Sequence, residues 1–329
     1  MKIILFILAS FVVIFLFLFV GGAKEAKNIT WGANFSIKQA GELGLDWKET
    51  YLALLEDLKT KNLRVAVHWD ALEQENQTFS FEDLDWLMDR AKEHGAEVML
   101  TVGMKTPRWP ECHIPEWAAE LSYQELQKEI LEMLEAVVLR YKEHPALAAW
   151  QVENEPLFPF GKCPWRDFSF LQKEVELVQS LDSGHDVLVS DAGELSLWFN
   201  AARLGDTVAV TLYRKVWFGE FQTHLSFPFP PLFYARKAWL VEKLFGKEVI
   251  VGELQAEPWV PGKLKDSSLA DQGKTMTFAD FQNNIAFAKA TGLDTFYLWG
   301  AEWWYFMKEV RDNDSFWKEA KSIFDGSKK

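Results

Sequence analysis

The chain of 329 residues has only two cysteines, Cys112 and Cys163, too few for a disulfide-built scaffold. Its six histidines show no HExxH or similar spacing, so a zinc site has no footing. No Lys/Arg-rich run occurs and the net charge is −13, which argues against a nucleic-acid partner and against a basic membrane-surface face. The Gly-rich phosphate turn of a dinucleotide-binding fold is missing after the first apolar run, where the sequence reads WGANFSIKQ. Beyond about Asn28 there is no low-complexity linker and no tandem repeat of high identity. What remains is an acidic monomer with no call for a metal or organic cofactor, suited to neutral or weakly charged ligands.

Long apolar stretches are scarce too, with one exception. Ile3 to Val20 is eighteen residues without a charge, preceded by Lys2 and followed by Gly21, Gly22 and Ala23. It reads either as a long signal peptide, with Gly21 and Ala23 at the small-residue positions of a cleavage site, or as a minimal membrane anchor. Both readings put the globular part outside the cytoplasm, secreted or held at a membrane through residues 1–23. A short linker, 24–28, then leads to a domain over 29–325. No Cys follows the run until Cys112, which disfavours a lipoprotein anchor.

Aromatics are plentiful, including sixteen Trp, and indole stacks well on the C–H faces of sugars, although most Trp in any barrel are core. Within the 29–325 domain one pattern recurs eight times: an apolar run, a polar and aromatic loop, then an amphipathic helix. The runs are Ile29–Phe35, Leu63–Trp69, Glu97–Val102, Leu147–Val152, Val187–Ser190, Val208–Leu212, Glu248–Val251 and Thr295–Trp299. Asp46, with Glu49 three residues on, marks one helix start, and Tyr51, Leu54, Leu55 and Leu58 then share a face. Strands apolar on both faces that alternate with helices imply a parallel sheet covered by helices. Eight such units close into a (β/α)8 TIM barrel more naturally than they lie open, a doubly wound sheet being the competing topology.

Active residues of such barrels lie at the C-terminal strand ends. Two carboxylates, Glu155 after the fourth run and Glu253 after the seventh, each end an apolar strand, where an unpaired charge is costly to bury. A lone strand-end Glu is as well read as a helix cap or an ion pair. Two of them, 98 positions apart, fit the acid and nucleophile of glycoside hydrolysis.

The tripeptide Asn154-Glu155-Pro156 and the later Glu253, with Arg64 inside the second strand and Tyr213 and Trp299 at the ends of the sixth and eighth, resemble the clan A, cellulase-like glycoside hydrolases over about 29–324. The resemblance implies a retaining hydrolase of O-glycosidic, β-linked oligo- or polysaccharides. By it Glu155 is the general acid/base, Glu253 the nucleophile, and Asn154 the partner of the sugar 2-hydroxyl. Arg64 and Tyr213 flank the nucleophile, and Trp299 floors the sugar. Thr211 departs from the pattern, since several of these families carry His there. Glu153 is a rival carboxylate that strand alternation should turn away from Glu155, and Glu257 is expected on the rim.

His68, Trp69, Lys105, Trp109, Gln255, Glu302 and Trp303, with Arg108, His113 and Trp304, are further candidates to line sugar subsites; rim packing is the alternative for each. Residues Trp217–Pro231 form either a lid or a cap. The loops after the third and fourth strands are neighbours in a barrel, so a Cys112–Cys163 disulfide is expected. A transglycosylase with the same site, or a glycan-binding barrel without turnover, are the competing functions.

Overall fold

In a computed structural model, which describes residues 2–219 and 221–326, ten strands form. Their ranges are β1 (Thr30–Phe35), β2 (Asn62–Ala66), β3 (Glu97–Val102), β4 (Leu147–Val152), β5 (Asp186–Asp191), β6 (Thr207–Leu212), β7 (Lys215–Phe218), β8 (Thr223–Ser226), β9 (Glu248–Gln255) and β10 (Thr295–Trp299). Eight close into an all-parallel barrel in the order β1-β10-β9-β6-β5-β4-β3-β2. The expected (β/α)8 barrel is the fold, with β9 and β10 as its seventh and eighth strands.

The helix expected after Asp46 runs from Trp47 to Glu56, and the Asp46 carboxylate accepts from the backbone N–H of Lys48 and Glu49. Its buried face carries Tyr51, Leu54 and Leu55. Outward-facing strand residues such as Leu63, Val65, Trp150, Val152 and Val251 join the helices in one continuous core. Inward-facing residues form a separate apolar plug inside the barrel: Met99, Leu188, Ala209, Ile250 and Tyr297, with Ala149 against it.

Three features were not foreseen. A helix, Ile37–Leu43, precedes the first expected one, and another, Ala301–Val310, is inserted between β10 and the last helix, Ser315–Gly326. Within the 217–231 segment β7 and β8 pair as an antiparallel hairpin, and Phe227 and Phe229 beyond it stack towards Phe233 and pack with Tyr213 and Trp299.

The membrane-span reading of the first run gains no support. Among the described residues no helix is long and apolar enough to cross a membrane. The helix that does form, Lys2–Phe19, has 18 residues, roughly 27 Å of rise against a hydrocarbon core of about 30 Å. Its end packs on the helix Pro231–Phe245, with Phe17 against Trp239 and Phe19 against Phe233.

Candidate active site

Above the apolar plug the barrel interior turns polar. Arg64, from β2, is 2% exposed and uses every face of its guanidinium. Its Nε donates to Gln151 Oε1 at 2.7 Å, Nη1 to Asn34 Oδ1 at 2.7 Å and to Glu253 Oε1 at 2.8 Å, and Nη2 to Asn154 Oδ1 at 2.8 Å. The Tyr213 hydroxyl donates to the other oxygen of Glu253 at 2.7 Å. A buried ion pair recovers its desolvation cost only when such additional hydrogen bonds satisfy the remaining groups. Both oxygens of Glu253 are thereby fixed in place.

Regular alternation would not aim Glu253 inwards. Ile250 faces the lumen and Val251 the outer core, so position 253 of an unbroken strand would point outwards. The register slips at Gly252: Val210 pairs with Val251, but Thr211 pairs with Glu253. This bulge adds one residue and returns Glu253 to the interior. Glycine suits the extra position, because a Cβ there would stand 3.3 Å from the Ala209 Cβ and 3.9 Å from Arg64 Nε.

Glu155 reaches the same chamber by another device. β4 ends at Val152, and Glu153 and Glu155 then take left-handed φ values of 59° and 43°. Non-glycine residues hold that conformation only where surroundings over-determine it. Here the Glu155 N–H donates to Ser190 Oγ at 2.7 Å, and Lys105 Nζ donates to the Glu155 carbonyl at 2.8 Å. Thr211 donates its hydroxyl to Glu155 Oε1 at 3.2 Å while lying beside Glu253 in the sheet register. The Glu155 carboxyl is pushed well above the usual carboxylate range, by burial first and by the Glu253 charge second.

Glu153 does turn away, though not through alternation, since positions 153 and 155 share a face of a regular strand. The turn carries its carboxylate to the backbone N–H groups of Met104 and Lys105, each at 2.7 Å. A Cβ on Gly103 would stand 2.5 Å from that carboxylate. Burial raises Glu153 to about 7, and its neighbour there is Glu174.

Trp299, expected as an open floor, is 7% exposed and covered: the Arg108 guanidinium lies over its ring, 3.8 Å from the centroid. Arg108 pairs with Glu257 and, at 3.1 Å, with Glu302, whose other oxygen accepts from the Ser36 N–H at 2.6 Å. Glu257 is therefore buried in an ion pair, not on the rim. Gln255 binds backbone, accepting from the N–H groups of Arg214 and Lys215 and donating to the Lys215 carbonyl, which fixes the chain after β6. Lys105 likewise spends its ammonium on the carbonyls of Glu155 and Phe158.

Three aromatic candidates lie behind the wall of the mouth. Trp69 is wholly buried, donates to Glu73 and meets Trp117 edge-on. Trp303 packs on Phe316 and donates to Gln272, and Trp304 donates to the Ala256 carbonyl. His68 is buried against His113 with a ring nitrogen 3.0 Å from the Pro107 carbonyl. Only Trp109, 57% exposed beside Phe160, stands on the rim. Cys112 and Cys163 form a disulfide that ties the loops after β3 and β4 together. Asn34, Gln151, Ser190 and Glu111 belong to the site and were missed; Asn34, Gln151 and Ser190, polar residues within apolar runs, gave a sequence signal, and Glu111 gave none. Among the described residues no cluster of His, Cys, Asp or Glu is placed to hold a metal ion.

Residues 46–169 match glycoside hydrolase family 42, the β-galactosidases. A β-galactosidase of Geobacillus kaustophilus is 31% identical over 112 residues, 29% of this chain and 17% of that protein. Two solved structures share the barrel. One is a family 5 subfamily 18 (GH5_18) protein of Streptomyces cattleya in complex with GlcNAc, with TM-score 0.58 and 16% identity over 83% of this chain and 70% of the other. The second is xylanase 10B of Thermotoga maritima, with TM-score 0.56 and 14% identity over 83% of each. The chain is thus similar to family 42 glycoside hydrolases over that segment, and its fold is the barrel of these two structures. The segment matched by the family is less than half of the chain, and the matched stretch is under a fifth of the Geobacillus protein. At such identities the solved structures speak for the fold alone.

Proposed function

We propose that the chain is a retaining β-glycosidase acting on oligo- or polysaccharides, with Glu253 as nucleophile and Glu155 as acid/base. One observation carries this reading. Two buried carboxyls share a chamber at the C-terminal mouth of the barrel, one held by Arg64 and Tyr213 and the other raised by burial and by its neighbour's charge. In the first step a Glu253 oxygen bonds to the anomeric carbon while the proton of Glu155 passes to the departing glycosidic oxygen. Loss of the Glu253 charge then lets Glu155 stay ionised after giving up its proton, so that it can accept one from water, whose oxygen displaces Glu253. Asn154, oriented by Arg64, serves the sugar 2-hydroxyl, and the names of the sequence relatives make β-galactosides the first substrates to try.

We propose further that the barrel is one domain, residues 29–325, working as a monomer outside the cytoplasm. The apolar run of residues 3–20 and the Cys112–Cys163 disulfide, a bond of oxidising compartments, support that location. The test of the mechanism is trapping with a panel of 2-deoxy-2-fluoro β-glycosides followed by peptide mass mapping. A covalent adduct on Glu253 is expected; an adduct on another acid would remove the assignment.

A further inference from the structure

A third carboxyl stands in the reaction chamber, and the mechanism above gives it no task. Glu111, in the loop after β3, is 5% exposed. Among the described residues its side chain accepts one hydrogen bond, from Asn154 Nδ2 to Oε2 at 2.9 Å, and Oε1 has none. Asn154 is itself tied through Arg64 to Glu253, so Glu111, Asn154, Arg64 and Glu253 are one hydrogen-bonded chain. The Glu253 charge acts on Glu111, and Glu111 acts on Glu155.

The protein holds Glu111 firmly. Its backbone has a left-handed φ of 75°, with N–H donating to the Arg108 carbonyl at 2.8 Å and carbonyl accepting from the Thr106 N–H at 2.9 Å. The next residue is anchored by the Cys112–Cys163 disulfide. On the other side Gly161 lies so close that a Cβ there would stand 2.5 Å from the Glu111 Cβ. Burial makes the ionised form of this carboxyl costly and raises it to about 7. A group held rigidly at such a cost beside the reacting centre is suited to a ligand that supplies the missing donor.

We propose that Glu111 is a substrate-contacting, specificity-determining residue whose free oxygen accepts a hydrogen bond from the hydroxyl on C2 of the reacting sugar, beside Asn154. The chain thus selects β-glycosides with a free donor at C2. This rests on the glycosidase reading, because it takes Glu253 as the group that bonds to C1. An ionised acceptor grips a hydroxyl more tightly than a neutral one, and the contact tightens as charge develops at C1. Its loss is therefore expected in kcat and kcat/KM, with KM little changed.

The experiment compares 4-nitrophenyl β-galactoside, β-glucoside and β-mannoside with their 2-deoxy counterparts, of which the glucoside and the mannoside share one, for the unmodified chain and for Glu111→Gln. The amide can still accept from Asn154 but lacks the charge. On the best 2-hydroxy substrate Glu111→Gln should lose about 10-fold or more in kcat/KM, and on its 2-deoxy partner no more than about twofold. Glu111→Asp, which keeps the charge and withdraws it by one methylene, should show the same selective loss and serves if the amide variant does not fold. A selective loss that vanishes in an Asn154→Ser background would make Glu111 a mere support for Asn154, equal losses on both substrates would make it a support for the Arg64–Glu253 pair, and no loss on either would leave it without a role; each result overturns the proposal while leaving the glycosidase reading intact. If the unmodified chain turns over none of the five compounds, that reading fails and this proposal falls with it.

Discussion

Behind the mouth, on the helix Phe168–Leu181 that follows β4, Glu174 lies 2% exposed against Glu153. Its Oε1 makes no hydrogen bond, and the charged groups that act on it are the acids Glu153 and Asp167. In the unfolded chain both carboxyls release their protons near the ordinary value of 4.5; in the folded protein burial raises Glu153 to about 7 and Glu174 well above its ordinary range. Between those values the folded state keeps protons that the unfolded chain has lost. Stability from this pair is thus full below about pH 4.5 and falls as pH rises through about 7. For Glu153 the shift from 4.5 to about 7 corresponds to about 3 kcal/mol at about 1.36 kcal/mol per unit.

Glu174→Gln keeps the shape and gives Glu153 an amide donor that needs no proton. The substitution removes Glu174's own protonation cost and leaves the burial of Glu153 in place, so the variant should gain little at pH 5 and about 1 kcal/mol or more at pH 8, a Tm rise of about 2 °C or more at about 2 °C per kcal/mol for a chain of this size. Thermal unfolding of both proteins at the two pH values reads the difference directly. A Tm change of equal size at both pH values, or a loss at pH 8, would refute the idea that the two acids share a proton in the fold.

Arg64→Met should cost about 3–5 kcal/mol, because it leaves Glu253 buried without its cation and strips Asn34, Gln151 and Asn154 of a donor; denaturant unfolding measures it, and a loss under about 1 kcal/mol would contradict the account. Glu155→Gln should lower turnover of glycosides with poor leaving groups by about 10²–10⁴-fold and spare activated aryl glycosides far more, which a leaving-group series in steady-state kinetics would reveal. Since burial and Glu253 raise Glu155, the alkaline limb of its kcat/KM profile should lie above the range of an ordinary carboxyl, with activity lost as pH climbs through it. Cys163→Ser should reduce stability by about 2–4 kcal/mol and loosen the rim that holds Glu111; Tm with and without reductant checks the first part.

The eight-unit barrel was legible because a parallel sheet covered by helices must be built from short apolar runs separated by amphipathic stretches, and this chain spaces them evenly. The two Glu residues were legible for a related reason: a carboxyl ending an apolar strand needs a compensating environment, and two of them need the same one. Alternation, however, was a poor guide at both. Glu253 faces inwards only because the sheet bulges at Gly252, and Glu153 leaves Glu155 only through left-handed backbone after Val152. Tryptophans also misled, since an indole bound for sugar and one bound for core look alike in sequence; Trp69 and Trp303 went to the core.

The sequence by itself therefore determined the eight barrel strands, the main helices that cover them, their order and the strand ends at which acids gather, all of which follow from local periodicity. Only the tertiary structure decided which way those acids point and what stands beside them. Arg108 covers Trp299 by bridging to Glu257 and Glu302, and Glu111 meets Asn154, through contacts between residues 43 to 194 positions apart. No local pattern encodes such pairings, because they exist only once the barrel has closed and brought its loops to a common mouth.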